Sequence, residues 1–142
     1  MYTIFVNSEG ILKTINKKVR LCSSVPIKAR TANEYTRALR LIIQHYNKGG
    51  IQVVLIHCDG EYKSILNPIK DKLDMDMNFS NPGDHVPEAD QNKTIKERIW
   101  ATSHRLPYKA IPCIMVRSLV MYCIHKLNMF PAKGGISRYY SP

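Results

Sequence analysis

Apolar, β-rich runs punctuated by turn residues open the chain. Tyr2 to Val6 reads as a strand, and Asn7-Ser8-Glu9-Gly10 follows as a turn. Ile11 to Ile15 and Val19 to Ile27 read as two further strands, the second ending at Pro26. Three short strands with tight connections predict an antiparallel meander. The period then changes. Thr31-Ala32-Asn33-Glu34 is a capping box, with Thr31 at the N-cap and Glu34 at N3. Behind it Tyr35, Ala38, Leu39, Ile42 and Tyr46 recur at helical spacing, and Gly49-Gly50 stops the helix.

Ile51 to Ile56 is a β-branched run, apolar apart from Gln52, read as a central strand buried on both faces and expected beside the first strand. Tyr62 to Leu73 is a weak helix broken by Asn67-Pro68, Met75 to Phe79 a short strand, and Asn81 to Pro87 a loop. From Glu88 to Arg105 a helix is expected. Ile95, Ile99, Thr102 and Leu106 share one face, and Asp90, Lys93, Glu97 and His104 the opposite one. Trp100 lies off the core face and is expected to be half-exposed. Pro112 fits the first turn of a last helix, which is apolar nearly all round and so should be mostly buried, and Phe130-Pro131 ends it. Residues 1–131 then make one domain, and 132–142 an extended, mobile tail. The expected fold class is α/β, a mixed sheet of about five strands with the first three antiparallel, flanked by helices.

Composition narrows the chemistry. Apolar residues make up 44% and charged residues 23% of 142, a globular balance that excludes bulk disorder. Cys113 to Phe130 is the longest apolar stretch, and Arg117, His125 and Lys126 make it too polar for a membrane span. Met1 leads into an apolar run with no basic flank or cleavage site, so an intracellular protein, nuclear or cytoplasmic, is expected. Cys22, Cys58, Cys113 and Cys123 form no C-x-x-C pair, which argues for free buried thiols and against a zinc site. The net charge of +10 is unevenly spread: residues 1–50 carry +7, 51–90 carry −5 and 91–142 carry +8. Basic segments suit a phosphate-binding surface and the acidic one suits metal-binding carboxylates, against the plainer reading of solvated faces.

Two constellations carry candidate chemistry. Asp59 stands where the run Ile51 to Ile56 ends, and carboxylates at strand ends emerge into crevices where metals bind, although Asp-Gly turns are common without function. Glu88-x-Asp90 precedes Lys93 and Lys96. Asp90 and Lys93, three apart, face the same way and pair a metal-binding acid with a phosphate-binding ammonium. The structural alternative is an acid at a helix N-terminus with an exposed ion pair, worth about 0.3–0.5 kcal/mol. No P-loop, dinucleotide fingerprint or Ser/His/Asp set is present.

Thr94-Ile-Lys-Glu-Arg98, Leu106-Pro-Tyr108, Pro112-x-x-Met115, Leu127-Asn128-x-Phe130-Pro131 and Gly135-Ile-Ser137 to Tyr140-Ser-Pro142 resemble, in order, the integrase region of copia-type retrotransposon polyproteins. Phe5-Val-Asn7, Arg30-Thr-Ala32 and Asp59-x-Glu61-Tyr62 are similar to the same family. The resemblance implies a ribonuclease-H-like catalytic core, with which the element order is compatible. It implies DNA as the partner, a homodimer, and two Mg²⁺ or Mn²⁺ ions held by an Asp, Asp, Glu triad that drives DNA cleavage and strand transfer. Carried over, the second acid is Asp59, and the third falls on Asp90 with Glu88 two residues before it, which makes Asp59 and Asp90 the catalytic pair and Asp59, Asp90 and Glu88 the metal ligands. The first acid falls on Tyr2, whose phenol is neutral at pH 7. Lys93, Lys96 and Arg98, following Asp90 on its helix, are the expected DNA contacts. The leading expectation is an integrase-like nucleic-acid-binding domain with degenerate catalysis. Its rivals are an active metal-dependent polynucleotidyl transferase and an interaction or oligomerisation module that uses the last helix without binding DNA.

Overall fold

The computed structural model describes residues 1–73, 75–80, 87–132 and 135–142, and among these the side chains of all except 64–66, 68 and 87–91. Strands β1 (Tyr2–Val6), β2 (Glu9–Ile15) and β3 (Cys22–Ile27) form an antiparallel sheet in the order β1-β2-β3. Asn7 and Ser8 close the first hairpin with φ of 47° and 66°, the left-handed pair that suits a two-residue hairpin loop. The third strand starts later than the pattern predicts. Asn16 Oδ1 accepts from the backbone N–H groups of Lys18 and Val19, both at 2.9 Å, and Arg20 takes a left-handed φ of 65°. These bonds spend residues 17–20 on a turn. Pro26, lacking an N–H, is accommodated because β3 is an edge strand.

Helix α1 (Ala32–Lys48) begins as expected, with Thr31 Oγ1 accepting from Glu34 N. Its buried face, Tyr35, Ala38, Leu39, Ile42 and Tyr46, packs on one side of the sheet with Leu12 and Ile27. The run Ile51 to Ile56 departs from its expectation. The strand β4 is Leu55–Cys58, and it pairs in parallel with β5 (Asp76–Phe79) as a separate two-stranded sheet. Val54 is 71% and Leu55 40% exposed, so the run is not buried on both faces. A β-branched run becomes a strand only where a backbone partner lies alongside, and β5 reaches no further back than Leu55. The two sheets meet where the Met1 ammonium donates to the His57 carbonyl. Val53 to Leu55 and Thr14 to Asn16 line one cleft beside Met1.

A 3-10 helix (Gly60–Ile65) leads into α2 (Leu66–Leu73). Pro68 is the third residue of α2, inside the first turn where no intrahelical N–H bond is required, so it opens that helix instead of breaking it. Helices α3 (Pro87–Ser103) and α4 (Cys113–Asn128) cover the other face of the first sheet. There Ile4, Ile11 and Cys22 pack with Ile95, Ile99, Val120, Cys123 and Ile124. The result is an α/β fold with helices on both sides of its strands. Helix α4 buries only Val116, Val120, Cys123 and Ile124, and leaves Ile114, Met121 and Tyr122 exposed, so it is not the mostly buried helix expected. Cys113 is exposed, unlike the other three thiols. Trp100 is 70% exposed and lies edge-on against His104, further out than half-exposed. Among the described residues no helix is long and apolar enough to cross a membrane. Of the expected loop Asn81 to Pro87, residues 81–86 lie outside the described residues, as do Asp74 and residues 133–134 of the tail, and Pro87 already belongs to α3, where its fixed φ and missing N–H suit a first helical position.

Candidate functional site

The pairing registers build a row of side chains across the strands. Tyr2 lies opposite Lys13, and Lys13 opposite Ser24. The neighbouring pair Ile4–Ile11 is packed under α3 and α4, and side chains two apart share a face, so Tyr2, Lys13 and Ser24 face those helices too. The Met1-to-His57 bond ties the start of β1 to β4, two residues before Asp59. The row on the sheet reads Tyr2, Lys13, Ser24, and Asp59 follows the end of β4.

Beneath the row, on the α1 side, hydroxyls lock the strand ends. Thr3 Oγ1 shares hydrogen bonds with Tyr62 OH at 2.5 Å and Tyr35 OH at 3.2 Å, and the two tyrosine rings meet edge to face at 5.2 Å. Burial pushes the Tyr62 phenol above its ordinary range and the Cys58 thiol up to about 11, so both stay protonated at neutral pH. Asp59 itself is exposed. Its Oδ1 accepts from the Gly60 N–H at 2.6 Å, which fixes the carboxylate at the strand end.

Above the row lies the start of α3. Lys13 is fully buried, and its Nζ donates to Asn92 Oδ1 at 3.1 Å, two residues beyond Asp90. Its charge acts on the neighbouring Cys22, drawing that thiol's pKa down against the larger upward push of burial. Ser24 Oγ reaches Met121 Sδ of α4 at 3.0 Å. Sequence reasoning passed over Lys13. The available signal was its phase: it stands between Ile11 and Ile15 at the spacing of the inward face, where a charge is costly without partners.

Of the residues expected at the site, Asp59 lies at the end of β4 and Tyr2 beside it. Glu88 and Asp90 lie in the first turn of α3, and their side chains fall outside the described residues. Lys93, Lys96 and Arg98 are exposed on α3, while Ile95 and Ile99 face inward. Among the described residues no group of three His, Cys, Asp or Glu side chains converges. Glu88 and Asp90, the other expected ligands, lie outside the described side chains, so the described donor set is only part of the expected one. It offers one carboxylate, a neutral phenol and a buried ammonium.

No family model and no curated protein matches the sequence. Solved structures do. The crystal structure of the catalytic core domain of BIV integrase superposes with a TM-score of 0.66 at 18% identity, over 99% of this chain and 87% of that one. At that identity the likeness is one of fold. The chain has the ribonuclease-H-like fold of an integrase catalytic core.

Proposed function

We propose that this integrase-like domain is of copia-type descent, binds DNA through phosphate contacts independent of base sequence, and does not perform strand transfer. The observation that supports the reading is the cross-strand pair Tyr2–Lys13 on an integrase-core fold, with Asp59 at the end of β4. Tyr2 stands where the resembled family has an acid that bridges two metals. Lys13 brings a buried positive charge to its side. Neither residue touches the outer face of α3, where Lys93, Lys96 and Arg98 are exposed in a chain of net charge +10.

Binding by phosphate neutralisation releases counterions. The logarithm of the association constant for duplex DNA should then fall with the logarithm of salt at about −0.9 per phosphate contacted. Replacing Lys93 and Lys96 together by Ala should flatten that slope by about two contacts' worth. An unchanged slope would place the contacts elsewhere, and binding without salt dependence would remove the DNA reading.

One observation favours a second reading. Ile114, Met121 and Tyr122 leave an apolar stripe exposed on α4, with Met129 and Phe130 beyond its end. Such a face suits self-association. Sedimentation equilibrium of the chain and of Met121→Glu separates the two readings, since DNA binding through α3 survives that substitution and an interface on α4 does not.

A further inference from the structure

Ile95 and Ile99 pin α3 to the sheet, which turns Trp100, the chain's only tryptophan, outward. The backbone beneath the indole is held. The Trp100 carbonyl accepts from Ser103 Oγ at 2.7 Å and from His104 N at 3.1 Å. The His104 ring stands at 79° to the indole with centroids 4.3 Å apart, so the two rings meet edge to face. That contact covers at most one face of the indole, and the side chain is 70% exposed. At helical spacing the positions from 92 to 104 within about 60° of Trp100 are Lys93, Lys96, Glu97, Ser103 and His104, none of them apolar. Lys96 and Lys93 are exposed, and they stand roughly 6 and 10 Å up the helix axis from the indole. Residues 92–109 carry Lys93, Lys96, Arg98, Arg105 and Lys109 against one acid, Glu97. Tyr108 adds a second exposed ring just beyond the helix.

Building on the DNA-binding reading, we propose that Trp100 is the stacking platform for an unpaired base of single-stranded DNA, with Lys93 and Lys96 on the phosphates that flank it. An open indole face accepts the π-face of any base, so stacking needs no base sequence, and the ammonium groups along the helix match the backbone. In a duplex each base is already stacked within the helix. It reaches a surface ring only by being extruded, which costs unstacking and unpairing. A single strand presents its bases without that cost. Glu97, three residues before Trp100, repels a phosphate at the indole and so favours the base there over the backbone. An apolar protein partner finds no apolar neighbour beside the ring on this stripe, whereas charge and ring together complement a polyanion that carries bases.

The probes are a twelve-residue oligothymidylate, an abasic strand of the same length and charge, and a duplex, each titrated against the full chain at one salt concentration. As the sole tryptophan, Trp100 reports through its own emission. Saturable quenching by the oligothymidylate is expected, and none by the abasic strand, which should bind about tenfold more weakly. Trp100→Ala changes an exposed residue and should leave the circular dichroism spectrum intact. It should weaken oligothymidylate binding about tenfold and duplex binding less than about twofold. Trp100→Tyr should keep most of the single-strand affinity. Equal affinity for the two single strands, or salt-dependent duplex binding with no quenching by the oligothymidylate, overturns the proposal and leaves the phosphate reading standing. Failure to bind any of the three removes both. Emission that shifts with chain concentration and is indifferent to DNA makes Trp100 an interface between copies, and overturns the proposal as well.

Discussion

Replacing Lys13 by Met keeps most of the aliphatic stem and deletes the ammonium. Two terms oppose each other. The hydrogen bond from the ammonium to Asn92, 3.1 Å long, contributes about 1.5–3 kcal/mol, and its loss leaves the half-buried Asn92 oxygen partly unpaired. Against this, a fully buried charge no longer has to be desolvated. Deleting one partner of a buried polar pair usually leaves a net deficit, so a loss of about 1–2 kcal/mol is expected. For a domain of this size that lowers Tm by about 4–8 °C. The same change removes a positive charge from the residue paired with Tyr2. Wild type and Tyr2→Asp should melt at the same temperature with and without millimolar Mn²⁺. The double variant Tyr2→Asp/Lys13→Met should melt higher with it, since a ligand at one hundred times its Kd stabilises by about 2.7 kcal/mol. Thermal melts followed by circular dichroism decide. A wild-type chain that Mn²⁺ stabilises, or a Lys13→Met variant more stable than wild type, refutes the reasoning.

Acid should loosen the junction of β2 with α4: Arg117 hydrogen-bonds Glu9 and holds its carboxyl below the usual range, so this contribution is complete above the ordinary glutamate pKa and is lost as pH falls through the depressed value. Urea midpoints between pH 7 and pH 3 should show that loss in wild type, and Glu9→Gln should show less of it. Gly10→Ala should destabilise by about 1–3 kcal/mol, because its new Cβ would stand 2.9 Å from Ile27 Cγ1 and 3.2 Å from Phe5 Cε1; a neutral result in urea titration would mean that those side chains shift freely. Ile95→Ala should cost about 2–5 kcal/mol in the same assay, since Ile95 is fully buried where α3 meets the sheet.

What the sequence made legible follows its local signals. The N-cap Thr31 set the start of α1, although the Glu34 carboxylate turns to Lys28 N and Arg37 instead of closing the capping box, and the turn residues Asn7 and Ser8 set the first hairpin. Ile51 to Ile56 misled because apolar β-branched composition reports burial and strand character together, whereas pairing depends on where β5 and Met1 lie. α4 misled for the related reason that apolar residues are written into the chain whether or not anything covers them; Ile114 and Tyr122 stay bare. At the site, Asp59 was legible from its place after an apolar run. Lys13 was not singled out, although its phase with Ile11 and Ile15 carried the signal. The assignments of Glu88 and Asp90 to a metal rest on the resemblance, and the row on the sheet speaks only to their neighbours.

The most direct test of the central claim is a strand-transfer assay with purified protein, a short labelled DNA duplex, and Mg²⁺ or Mn²⁺. On the proposed reading, in which Tyr2 stands where the resembled family has a bridging acid, the chain should retard the duplex in a salt-dependent manner and yield no joined or nicked product in either metal. Metal-dependent products that vanish in Asp59→Asn would contradict the account.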